Sequence, residues 1–105
     1  MANIKFSYLY RDSCNYKNYR ALIFANPNNV DLDELKNLIK CKLVDYIWFY
    51  HDEWQVPNLR FDDWCIEVDP TWHEFESIEY SNELANTSKK LAELIYCING
   101  TADSW

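Results

Sequence analysis

One glycine, Gly100, and three prolines punctuate 105 residues, so the chain has few means of making sharp turns and none of the composition of a flexible linker. That scarcity argues against Gly-rich phosphate loops and against a small barrel of many turns. The remaining composition demands a core: 49% of residues are apolar and 17% aromatic, with five Trp, eight Tyr and five Phe, which is far from a disordered chain. At this length the expectation is one domain, residues 1–105, able to bury its apolar surface without metal or disulfide support.

Hydrophobic periodicity divides the chain into alternating and helical stretches. Ile4, Phe6, Tyr8 and Tyr10 fall on one face of a strand, Ile4 to Tyr10, and a second strand runs Arg20 to Asn26. The polar stretch Arg11 to Tyr19 between them joins the two as a hairpin with a long loop. Asn26-Pro27-Asn28-Asn29 then breaks the pattern. Asp31 caps a helix, with Glu34 three residues on and Val30 placed to staple against Leu35; Leu32, Leu35, Leu38 and Ile39 form its buried stripe, and it ends near Cys41.

Tyr46 to His51 reads as a third strand. Phe61 to Asp69 alternates well, with Trp64, Ile66 and Val68 inward and Asp63, Cys65 and Glu67 outward, and reads as a fourth. Trp72 to Tyr80 reads as a less orderly fifth, with Glu74 and Glu76 on the face of Trp72, Ile78 and Tyr80. A last helix starts from Thr87 or Ser88 and stops before Gly100, burying Leu91, Leu94, Ile95 and Ile98. The order β-β-α-β-β-β-α predicts an α+β domain: an antiparallel sheet of four to five strands with both helices on one face.

Charge is the feature that bears on function. From Asp45 to Glu83 there are eleven acids and one base, Arg60, whereas the first 44 residues hold four acids and seven bases, within a net charge of −7. Such a field repels nucleic-acid phosphate and attracts basic protein surfaces. Duplex nucleic acid is therefore disfavoured, and a basic protein partner expected. Met1 to Phe6 lacks the features of a signal peptide. The longest apolar run, Tyr46 to Tyr50, is far short of the roughly 20 residues of a membrane helix. The expected setting is the cytoplasm, away from membranes, a compartment that keeps Cys14, Cys41, Cys65 and Cys97 as reduced thiols. With no Cys-x-x-Cys pair, a zinc ribbon or thioredoxin-like centre has no local support.

Several groupings carry potential chemistry. Tyr16, Lys17, Tyr19 and Arg20, with Tyr8, Tyr10 and Arg11 nearby, combine flat rings with cations, the minimal kit for a nucleotide or signal molecule. His51-Asp52-Glu53 and His73-Glu74 bring imidazoles near carboxylates, the ingredients of a metal-assisted hydrolase; yet on a strand His73 and Glu74 point to opposite faces, and no metalloenzyme spacing is matched. No metal site, cofactor or catalytic residue is assigned. Trp48, Phe49, Tyr50 and Trp54 beside Asp52 and Glu53 read as core rings or as interface anchors.

Tyr10-Arg11-Asp12 with Asn15-Tyr16-Lys17-Asn18-Tyr19, Phe24-Ala25-Asn26-Pro27-Asn28-Asn29 and Trp72-His73-Glu74-Phe75-Glu76-Ser77 resemble segments of a family of small proteins from bacteria and their mobile elements. The resemblance spans about residues 3–80 and implies a small accessory protein of bacterial or phage origin; it implies no reaction. The leading expectation is thus a non-enzymatic inhibitor or regulator that engages a basic, nucleic-acid-handling protein through an acidic sheet face of Asp62, Asp63, Glu67, Glu74 and Glu76, with Trp54 beside them. A homodimer pairing the basic hairpin loop with that acidic face is the rival arrangement.

Overall fold

The alternation that opens the chain becomes the inner face of a central strand, where Ile4, Phe6, Tyr8 and Tyr10 are all fully buried. In the computed structural model, which describes residues 2–101, the elements are β1 (Asn3–Arg11), β2 (Lys17–Phe24), α1 (Leu32–Lys42), β3 (Trp48–Phe49), α2 (His51–Trp54), β4 (His73–Ser81) and α3 (Leu91–Asn99). The strands form one antiparallel sheet in the order β2-β1-β4-β3. The expected α+β class holds. One expected strand is missing, and a third, short helix is present.

Leu22 and Phe24 of β2 lie beside Phe6 and Ile4, and Ile78 of β4 lies beside Phe6 on the other side. Against this face pack Leu35 and Ile39 of α1, Trp54 of α2, and Leu91, Leu94 and Ile98 of α3, all in one core. Burying each such side chain contributes about 1.5–3 kcal/mol. All three helices thus serve one face of the sheet; the other carries Lys5, Ser7, Leu9, Arg11, Tyr19 and Glu74.

Helix α1 starts as its sequence dictates, with the Asp31 carboxylate accepting from the Glu34 N–H at 3.1 Å. It ends at Lys42, whose ammonium donates to the Thr101 carbonyl at 2.7 Å. Helix α3 begins later than expected: Lys90 is its N-cap and makes no side-chain cap bond, while Thr87 Oγ1 accepts from the Lys89 N–H at 3.2 Å.

Strand β4 is continuous but out of phase with its own sequence. Ser7 faces Ser77 while Tyr8 faces Phe75, so Glu76 is the extra residue of a bulge. The bulge turns His73 and Phe75 to the same side as Ile78. Glu74 goes to the opposite face, opposite Trp48 of β3. The expectation that Glu74 and Ile78 share a face is corrected here.

Phe61 to Asp69 is not a strand but a pair of turns, closed by Trp64 N–H to Phe61 O at 3.0 Å and Asp69 N–H to Cys65 O at 2.8 Å. Ile66 and Val68, expected inward, are 72% and 65% exposed. The sheet has no room for the segment, because β1 and β4 are paired on both sides and β3 is covered at its outer edge by Val44. At the other margin Asn86 satisfies the backbone of Ala21 and Ile23, shielding part of the β2 edge.

The left-handed backbone positions fall on Asn15, Asn29, Asp45, Tyr46 and Gln55, and Gly100 is not among them. Gly100 instead has φ −75°, and a Cβ there would meet nothing closer than 3.5 Å. Gly100→Ala is therefore expected to stabilise the fold by about 0.4–1 kcal/mol by restricting the unfolded chain. A fall in the urea midpoint would contradict this account of the helix end.

Candidate functional site

Residues 55–72 lie between α2 and β4 and contain most of the acids singled out above. A long connection without regular structure is uncommon in a small domain and is generally a functional or a disordered segment. This one is held at defined points. The Tyr8 hydroxyl donates to Pro57 O at 2.7 Å and the Tyr10 hydroxyl to Pro70 O at 2.6 Å. Leu59 N–H donates to His73 Nε2 at 2.9 Å, and Asn18 Nδ2 to Leu59 O at 3.1 Å.

Burial raises both tyrosines above their ordinary value, so their hydroxyls remain donors. Trp64 Nε1 donates to Pro70 O at 2.9 Å, while the Arg60 guanidinium lies 4.5 Å from the Trp64 ring and reaches Thr71 O at 2.6 Å. Asp69 accepts from Ser13 N–H at 3.0 Å and Cys65 N–H at 2.9 Å. These backbone donors, Ser13 first, hold its carboxyl below the usual range.

The loop has two sides. Val56 and Leu59 are buried, and Phe61 and Trp64 pack against the core. Asp62, Asp63, Ile66, Glu67 and Val68 are exposed. Three of the expected partner-binding acids, Asp62, Asp63 and Glu67, therefore sit together on this loop and not on a sheet face. Glu74 lies on the open face of β4 in an ion pair with Arg11, Nε to Oε2 at 2.7 Å. Glu76 is the exposed bulge residue.

Trp54, expected at the partner surface, is corrected to a core residue: it is fully buried, stacked on Phe49 with centroids 4.4 Å apart, and donates to Thr101 Oγ1 at 3.1 Å. The hairpin residues Tyr16, Lys17, Tyr19 and Arg20 are all exposed but are divided, since Arg20 faces Tyr8 on the covered side while Tyr19 faces Leu9 on the open side. The basic hairpin and the acidic loop meet within one molecule, through Ser13 to Asp69 and Asn18 to Leu59.

His51 and His73 do come together, with ring centroids 4.9 Å apart, but His73 is fully buried and its Nε2 is occupied by Leu59 N–H. His51 Nδ1 lies 3.2 Å from Val56 O. Among the described residues no three His, Cys, Asp or Glu side chains gather as a metal site would require, and the four cysteines are free. No described helix is long and apolar enough to cross a membrane.

The polar roles of Tyr8, Tyr10 and His73 are not in the sequence reading. The available signal was the presence of hydroxyl-bearing Tyr at two consecutive inward positions where Phe would fill the same space, since a buried Tyr requires a partner. No protein-family model, curated protein or solved structure matches this chain.

Burial, then His51 and Arg60, lower His73 from 6.5 to about 3. The folded protein accordingly binds fewer protons than the unfolded chain between those values. The stabilisation is complete above the unfolded value and is lost as pH falls toward the folded one. The expected free energy of unfolding in urea is about 2 kcal/mol lower at about pH 5 than at about pH 7. His73→Gln, which keeps an acceptor for Leu59 N–H, should remove most of that difference; an unchanged slope would assign it to other groups.

Proposed function

We propose that this chain is a non-enzymatic binding protein, an inhibitor or regulator of bacterial or mobile-element origin, that engages the basic surface of a nucleic-acid-handling protein through the loop of residues 55–72. The observation that carries the reading is that an ordered loop keeps two large apolar side chains in water, Ile66 at 72% and Val68 at 65% exposure, among Asp62, Asp63 and Glu67. Apolar anchors within a charged rim are the anatomy of an interface.

The two kinds of residue do different work. Rim carboxylates contribute about 0–1 kcal/mol each and act chiefly on encounter rate and partner choice, whereas burying Ile66 or Val68 against a partner contributes about 1.5–3 kcal/mol. Holding the loop by Tyr8, Tyr10 and His73 limits the ordering entropy that binding would otherwise cost.

The test compares variants in quantitative pull-down from host lysate at low and high salt. Ile66→Ser with Val68→Ser should weaken retention of the partner by about a hundredfold, while Asp63→Lys with Glu67→Lys should slow association and flatten its salt dependence. Both variants should unfold within about 0.5 kcal/mol of the parent, as surface changes do. Equal retention of the same proteins by parent and both variants would refute the loop as the binding surface.

A further inference from the structure

The hairpin between α1 and β3 turns on two residues with left-handed backbone, Asp45 at φ 50° and Tyr46 at φ 64°, closed by Ile47 N–H to Val44 O at 3.0 Å. Asp tolerates this conformation moderately and Tyr poorly. The turn leads into Trp48, whose ring lies 5.3 Å from that of Trp72 at an interplanar angle of 41°. Twenty-four positions separate the two tryptophans in sequence; the β3 to β4 pairing, Trp48 opposite Glu74, is what brings them together.

Beside this corner lies a cavity of about 210 Å³ lined by Val44, Asp45, Trp48, Phe49, Tyr50 and Trp72. Phe49 contributes from the core side, 2% exposed and stacked on Trp54, so the open aromatic walls are Trp48, Tyr50 and Trp72. Asp45 is the one carboxylate, and no lysine, arginine or histidine lines the cleft. Trp72 and Tyr50 remain 36% and 38% exposed, so their rings are reachable from solvent. We propose that this cleft is an aromatic cage for a methylated ammonium group.

Ring faces attract a cation through their quadrupoles, tryptophan most strongly, and more so as water is excluded. Asp45 contributes a carboxylate to the lining, and the protein's net charge of −7 raises the local concentration of cations. A primary ammonium suits the site less well, because its three N–H donors need acceptors and the lining side chains provide one carboxylate and, at Tyr50, one hydroxyl. Each methyl group removes a donor and adds apolar contact with a ring. The volume lies below the roughly 300 Å³ at which sites for drug-sized ligands begin, which fits a head group and not a whole nucleotide. Neither Ile66 nor Val68 lines the cleft, so the proposal does not rest on those two side chains, although Trp72 is the last residue of the 55–72 loop.

The test is a titration followed by the indole Nε1–H signals of Trp48 and Trp72 in proton–nitrogen NMR spectra, with buried Trp54 as the internal control. Choline should shift the two signals saturably. Its neutral isostere 3,3-dimethylbutan-1-ol, equal in shape but uncharged, should bind at least tenfold more weakly. Trp72→Leu and, separately, Tyr50→Leu should each reduce choline affinity at least tenfold while leaving the Trp54 signal in place, and Asp45→Asn should weaken it about threefold.

A parallel titration with a short peptide carrying trimethyl-lysine, against the same peptide with unmodified lysine, identifies the source. Tighter binding of the methylated peptide than of choline assigns the site to a modified protein partner, and tighter binding of choline assigns it to small solutes or lipid head groups. Absence of a saturable shift with both choline and the methylated peptide, or equal affinity for the neutral isostere, would overturn the proposal.

Discussion

Tyr8 and Tyr10 occupy successive inward positions on β1, fill the core with their rings and end in hydroxyls that must find acceptors. They find them in the backbone of residues 55–72, at Pro57 O and Pro70 O, close to the two ends of that segment. His73 supplies the complementary acceptor for Leu59 N–H. A hydrogen bond of this kind contributes about 1 kcal/mol net, but leaving the buried group unpaired costs more, about 1–3 kcal/mol. The aromatic core and the loop therefore specify each other: the loop cannot lift without stranding the hydroxyls, and the hydroxyls could not be buried without the loop. From this follow the packing of Leu59, Phe61 and Trp64, the neutral state of His73, and the presentation of Ile66 and Val68 to solvent.

A chain with one glycine must also make its turns by other means. Local hydrogen bonds replace conformational freedom at each left-handed position. Asp12 Oδ1 accepts from the N–H groups of Cys14 and Tyr16 around Asn15, Asn26 and Val30 bracket Asn29, and Val56 N–H reaches His51 O across Gln55. Asn and Asp are the non-glycine residues best suited to this conformation. Tyr46 and Gln55 are the exceptions; Tyr46, the bulkier, stands at the hairpin that carries Trp48 to Trp72, and strain of this kind tends to collect at ligand clamps.

The acids that dominate the middle of the sequence are put to different uses. Glu74 and Glu83 neutralise Arg11 and Lys5 across the sheet at 2.7 and 2.8 Å. Asp69 is a backbone acceptor that shapes the loop, and the remaining loop carboxylates are exposed. A count of charges could not separate these roles, because an acid that organises a turn and one that faces a partner have the same letter.

Local physics made part of this legible. The period-two pattern of Ile4 to Tyr10, the Asp31 cap and the stripe of Leu91, Leu94 and Ile98 are short-range signals, and each produced the element it implied. The same rule failed for Phe61 to Asp69, where alternation was present but no strand edge was available to pair with, and for β4, where a bulge at Glu76 reversed the faces of Glu74 and His73. Period two is set by the backbone and holds only while the ladder is regular. By itself the sequence determined the α+β class, the central strand, the helix that Asp31 begins and the acidity of residues 45–83. The tertiary structure alone decided that the tyrosine hydroxyls hold the acidic loop, that Trp54 is core, and that Trp48 meets Trp72, because each depends on strand order and register joining residues far apart in the chain.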